Sequence, residues 1–171
     1  MNLHLRLATE SDATALSQFG AAVFKDWYLP DNDPANVHLH IRQTYTPALQ
    51  AAELAEPRQW AVLAQVDGML AGYGLLRADM PCPDLQAADM AEIRRFYVAR
   101  EWHGQGIAMR LMQAVIDHGC GVGARGFWLT CWERNPRALA FYAKCGFNRV
   151  GSTIFTVGTD PQTDHLLARI I

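Results

Sequence analysis

The sequence is short of the features that tie a chain to a membrane, a polyanion or an oxidising compartment. No apolar run approaches the length of a transmembrane span. The opening MNLHLRLATE alternates Leu3, Leu5 and Leu7 with polar residues instead of building a signal-peptide core. No long run of Lys or Arg occurs and the formal net charge is −2, which argues against a broad surface for nucleic acid or anionic lipid. Cysteine is scarce: Cys82, Cys120, Cys131 and Cys145 are scattered and form no C-x-x-C pair, so reduced, packed thiols are expected. His38 and His40 lie two apart, do not share a helix face and have no evident third ligand, so no metal is expected. Repeats and low-complexity segments are missing too. A cytoplasmic location is the expectation.

What is present is a chain of 171 residues, half hydrophobic and 19% charged, which favours a single domain over residues 1–171. After the leucine-alternating first strand, Thr9 followed by Glu10, Ser11 and Asp12 reads as a helix cap with acids in the first turn. That helix carries Leu16, Phe19, Val23 and Phe24 on one face and breaks at LPDNDP. A second helical stretch runs from about Asp33 to Glu56, interrupted at Pro47. Two strands flank the Asp67-Gly68 turn. DMPCPDLQAAD reads as an exposed loop and MAEIRRFYVA as a strand. An apolar stripe from Ile107 to Ile116 marks a helix expected to close at Gly119. GFWLTCW is a strand. NPRALAFYAKCG is a helix with Asn135 as cap, Pro136 at its first position and Gly146 just past its end. The tail reads as two strands around GTDPQTD. The order β-α-α-β-β-β-α-β-α-β-β implies an α/β domain with a mixed sheet flanked by helices.

The glycine turn in FYVAREWHGQGIAMRL enters a helix, where backbone N–H groups and the helix dipole attract anions. A Walker A loop needs a Lys after its glycines, and none follows. A dinucleotide fingerprint needs a third small residue where Met109 stands, although Glu133 does follow the next strand as a ribose-binding acid would. A pyrophosphate cradled by the amides from His103 to Ala108 fits better.

His103-Gly104-Gln105-Gly106-Ile107-Ala108 resembles the acyl-CoA loop of the GCN5-related N-acetyltransferases (GNAT), with His103 standing at the usual Arg or Gln position. Asn135, Ala138, Phe141-Tyr142 and Gly146-Phe147 resemble that family's second signature, one strand further on. The resemblance implies the GNAT fold, a central, mostly antiparallel mixed sheet flanked by helices, and acetyl-CoA as co-substrate with no metal. It implies that Phe96, Tyr97 and Val98 offer backbone contacts to pantetheine along a bulged, splayed strand, with the Val98 N–H polarising the thioester carbonyl. Tyr142 would be the acid that protonates the leaving thiolate. Asn135, beyond capping its helix, would lie near the pantetheine or the sulfur, and Lys144 could reach a CoA phosphate. Glu92 is the candidate base for the amine, with a water chain as the alternative.

The acceptor pocket is expected from the early helices, the hairpin and the last two strands. Trp27, Tyr28, Glu92 and Trp132 are the expected acceptor-side residues. The acid and aromatic mix of Asp26, Trp27, Tyr28, Asp31 and Asp33 suits a cationic amine. The tail is similar to members close to the polyamine acetyltransferases, so a small polyamine leads. Peptide N-termini, amino acids, aminoglycosides and a non-catalytic acyl-CoA-binding module stay open. The last two strands leave an edge that could pair in a homodimer.

Overall fold

Turn and cap chemistry decide where the elements begin and end. The computed structural model describes residues 2–171. Along the chain run β1 (Leu3–Leu7), α1 (Ala13–Tyr28), α2 (Pro34–Thr44), α3 (Pro47–Ala55), β2 (Gln59–Val66), β3 (Met69–Arg77) and β4 (Met90–Val98). They are followed by α4 (Ile107–Gly121), β5 (Gly126–Trp132), α5 (Pro136–Lys144), β6 (Asn148–Val157) and β7 (Asp160–Ile170). A capping contact starts the first helical segment, where the Thr9 N–H donates to Asp12 Oδ2 at 2.8 Å. Asp33 and Thr46 cap α2 and α3 with their side-chain oxygens, each with a proline at the first helical position. The second helical stretch is therefore two helices, divided just before Pro47.

All seven strands form one sheet in the order β1-β2-β3-β4-β5-β7-β6. Every neighbouring pair is antiparallel except β4 and β5. One face of the sheet is covered by α4 and α5. Ile107, Leu111, Met112 and Val115 interlock there with Leu76, Ile93, Val98, Phe127 and Leu129, all buried. On the other face α1 sets Leu16 against Leu63, Tyr73 and Leu75.

Three expectations are corrected. Gly119 does not close α4, which continues to Gly121. It lies inside the helix because a Cβ there would come within 2.4 Å of the Phe127 ring. The last turn is shorter than GTDPQTD: β6 ends at Val157 and β7 begins at Asp160. Pro161 can join β7 because β5, its other neighbour, pairs only as far as Asp164. The segment from Asp79 to Asp89 is not wholly exposed. Cys82 is buried with Met90, Trp128 and Leu166, and the Trp128 indole donates to the Met80 carbonyl at 2.9 Å.

Candidate active site

β4 and β5 pair in parallel only from Met90–Gly126 to Glu92–Trp128, and beyond that they separate. The parting coincides with a bulge. Leu75 faces Arg95 and Leu76 faces Ile93, leaving Arg94 without a partner on β3. A cavity of about 380 Å³ fills the wedge, lined by β4 from Ile93 to Val98 and by β5 from Leu129 to Trp132.

One end of the cavity meets the glycine turn. Gly104 and Gly106 have φ of +76° and +77°, a left-handed backbone that glycine adopts without cost, and open space lies where a Cβ would project. Gly106 caps α4 without any side-chain hydrogen bond, so the first-turn amides of that helix carry no side-chain cap. An anion-binding cradle is the chemistry such a turn supplies. His103 does not extend into this cradle like a long basic side chain. Its Nε2 sits 2.9 Å from the Val98 carbonyl, tying the loop back to the end of β4, and its ring stacks on Trp27. Gly104, Gly106, Ile107 and Ala108 line the cavity, whereas Gln105 turns away and donates to the Glu101 carbonyl.

Another wall is aromatic and adjoins the turn through the Trp27–His103 stack. Tyr28 stacks on Trp132 with ring centroids 5.2 Å apart, and Phe155 of β6 leans on Tyr28. Trp27 carries the Arg100 guanidinium over its ring at 5.3 Å. Tyr97 crosses to the α1 face, where its hydroxyl meets that of Tyr45 at 2.7 Å. α5 and its cap form a further wall. Asn135 Oδ1 accepts from the Ala138 N–H at 3.0 Å and the residue lines the cavity. Tyr142 is buried edge-on to Phe96, and Phe96 stacks on Phe141. Burial pushes the Tyr142 phenol well above its ordinary pKa. Burial also holds the Cys131 thiol up at about 12, with Asp164 adding to the effect.

The sequence profile of the acetyltransferase (GNAT) family matches residues 22–147. The chain belongs to the GNAT family. An uncharacterised N-acetyltransferase of Lactobacillus delbrueckii subsp. lactis is 28% identical over 163 residues, 95% of this chain and 94% of that protein. The N-alpha-acetyltransferase RimI of Mycobacterium tuberculosis is 34% identical over 110 residues, 63% of each chain. Among solved structures, the PaiA N-acetyltransferase of Thermoplasma acidophilum, crystallised with coenzyme A, superposes with a TM-score of 0.78. It is 19% identical, with both chains covered in full. The seven-stranded sheet and its flanking helices are the GNAT fold, and the chain is an acyltransferase of that family.

Within this GNAT domain some expected site residues stand apart from the cavity. Glu92 lies at the closed base of the wedge and outside the cavity lining, 3.7 Å from the Arg94 guanidinium. Burial raises its carboxyl pKa, and Arg94, Arg77 and Arg95 oppose the rise. Lys144 is exposed in the last turn of α5, away from the cavity, while Arg137 in the first turn lines it. Asp26, Asp31 and Asp33 are exposed and line nothing, and Asp33 is occupied as the cap of α2. Only the aromatic half of that cluster, Trp27 and Tyr28, reaches the cavity. His40 stacks on Phe24 at 4.3 Å, whereas His38 is exposed.

Sequence reasoning missed Arg137, Thr130 and Asp164, which all line the cavity. Asp164 shares a strand face with Leu166 and Ala168. An acid in register with two apolar residues was the available signal, masked by assigning the residue to a turn.

Proposed function

We propose that the protein is an N-acetyltransferase that moves the acetyl group of acetyl-CoA to the primary amine of a small cationic acceptor by direct attack, with polyamines such as spermidine the leading class. The observation that carries this reading is one continuous cavity. It joins an amide-lined glycine cradle to an aromatic chamber, and Tyr142 lines it too. The amides from His103 to Ala108 hold the pyrophosphate, and Arg137 adds charge near the cavity's α5 side. The backbone from Phe96 to Val98 takes the pantetheine arm where β4 has left β5, and the Val98 N–H polarises the thioester carbonyl. Asn135 stands beside the same arm.

Direct transfer is favoured over an acyl-enzyme because the cavity thiol, Cys131, with its pKa near 12, is not a thiolate at neutral pH. The amine nitrogen forms its bond to the carbonyl carbon as the carbon–sulfur bond breaks. Tyr142, which burial keeps protonated at neutral pH, gives its proton to the departing thiolate and regains one from the attacking nitrogen. Glu92 reaches the amine only through water from its place outside the lining.

The acceptor class rests on the chamber walls, where the aromatic surface of Trp27, Tyr28, Trp132 and Phe155 surrounds the buried Asp164 carboxylate. The β6–β7 turn supports a small acceptor. Thr159 donates to Asn36 Oδ1 from both its N–H and its hydroxyl, at 3.0 and 2.9 Å, and Gln162 donates to Asn32, clamping the hairpin on α2 and its approach. A second reading, acetylation of a peptide α-amine, is favoured by the 34% identity to RimI. Thiol release from acetyl-CoA, measured across spermidine, simple diamines, amino acids and a peptide with a free N-terminus, tests both. Turnover of the peptide alone would overturn the polyamine assignment. Acetyl-CoA binding with no release from any amine would overturn the transferase.

A further inference from the structure

An alkylamine with a pKa near 10.4 arrives as its ammonium, and roughly one molecule in a few thousand is neutral at pH 7. The site has to take that proton before nitrogen can attack. Of the residues described as lining the cavity, Asp164 is the one carboxylate. It lies on β7, opposite Trp132 of β5 and Thr153 of β6, and only 3% of it is exposed. Its Oδ1 has no hydrogen-bond partner. Among the described residues it forms no ion pair.

A buried carboxylate without a cation is an incomplete arrangement, because burial removes its water and only the Thr130 hydroxyl acts against that loss. The groups facing it are Tyr28 from α1, Tyr97 from β4, and Thr130, Cys131 and Glu133 from β5 and its end. None of these is basic. The cavity's other charged walls do not reach it: Arg94 stands by Glu92, Arg95 is held by Glu53, and among the described residues neither these nor Arg137 pairs with Asp164, so a substrate ammonium would complete it.

We infer that Asp164 docks the acceptor's ammonium and takes its proton, so that the amine attacks as the free base. This rests on the transferase reading above and gives it a base within the cavity lining, where Glu92 does not stand. The ammonium N–H bond breaks, the proton passes to the carboxylate, and the freed lone pair forms the bond to the acetyl carbon. The second nitrogen proton leaves by way of Tyr142 to the thiolate, and Asp164 returns its proton to solvent once the product departs. The balance is one ammonium and one thioester consumed, and one amide, one thiol and one proton formed. Burial raises the Asp164 carboxyl to about 6, against the opposing Thr130 hydroxyl and with Glu133 adding to the rise. The group is thus mostly ionised at pH 7 and a better proton acceptor than an ordinary aspartate.

The test is the pH profile of kcat/KM for wild type and Asp164→Asn, with spermidine or whichever amine of the panel is turned over, and acetyl-CoA binding as the folding control. Wild type should rise through about pH 6 and stay level above about pH 7. The variant should fall about 10²- to 10⁴-fold at pH 7 and lose the level region. Its kcat/KM should climb about tenfold per pH unit toward the amine's own pKa, because only solvent-made free base can then react. A variant lowered by one factor at every pH, or not lowered, overturns the assignment and leaves the transferase standing. No thiol release by wild type with any amine sinks both. As a check independent of turnover, saturating spermidine with CoA present should lower the carbon-13 titration midpoint of the Asp164 carboxyl. An unmoved midpoint counts against docking.

Discussion

Glu53→Gln puts the architecture behind the wedge to a quantitative test. Glu53, on α3, accepts two hydrogen bonds from the Arg95 guanidinium, at 2.6 and 2.9 Å. The two side chains are 19% and 11% exposed, so this pair lies largely out of water. The guanidinium also covers the Tyr45 ring at 5.2 Å, and Tyr45 holds the Tyr97 hydroxyl. Burial alone would weaken the charge on Arg95, yet the Glu53 carboxylate outweighs it and the group is held more firmly protonated than usual. Neutralising one partner leaves the other buried and uncompensated, which costs about 3–5 kcal/mol. Glutamine keeps one acceptor oxygen, so the lower end, about 3 kcal/mol, is expected. In a domain of this size that is a fall in Tm of about 6–12 °C. Thermal and urea unfolding at pH 7 measure it, and Glu53→Gln combined with Arg95→Met should recover part of the loss. A loss below about 1 kcal/mol, the range of exposed pairs, would refute the reasoning, since it would mean the pair is solvated.

Tyr142→Phe should lower kcat about 10²- to 10⁴-fold with acetyl-CoA binding unchanged, because it removes one hydroxyl and keeps the ring packed on Phe96; steady-state thiol release with calorimetric binding checks both halves. Gly119→Ala should destabilise by about 1–3 kcal/mol in urea titration, since the added methyl has to displace the fully buried Phe127 ring. The Arg6 guanidinium beside Asp12 holds that carboxyl at about 2. A depressed folded pKa contributes stability above the unfolded value, about 1–2 kcal/mol here. That contribution is lost as pH falls from about 4 to about 2 and should be missing from Asp12→Asn in acid-unfolding curves.

The glycine turn and the helix that bears Tyr142 were legible because their determinants are local in sequence. The glycines at 104 and 106 carry their own backbone conformation, and the helix they open follows at once. Asn135, Pro136 and Gly146 bound α5 by cap chemistry that needs no tertiary partner, and that helix carries Tyr142. Even the two early helices could be placed, because Pro47 divides them wherever they pack. Gly119 misled for a physical reason. Glycine near a helix end reads as a stop, whereas here it is spacing between α4 and a ring on β5, which no neighbouring residue announces.

The proposed acceptor side followed a different rule. Tyr28, Trp132 and Asp164 come from α1, β5 and β7 and meet only because β7 is inserted between β5 and β6 in the sheet. A surface acid such as Asp31 and a chamber acid such as Asp164 are the same residue type in similar polar surroundings of sequence. Strand register alone separates them, and register at a hairpin depends on which residues form the turn. Taking the turn as two residues instead of seven carries Asp164 from a loop to an inward-facing strand position. The charge that suits a cationic acceptor then moves from the surface of the early helices to the chamber wall. In such a domain the shared co-substrate can be recognised from a contiguous motif, but acceptor preference has to be argued from the strand that closes the sheet.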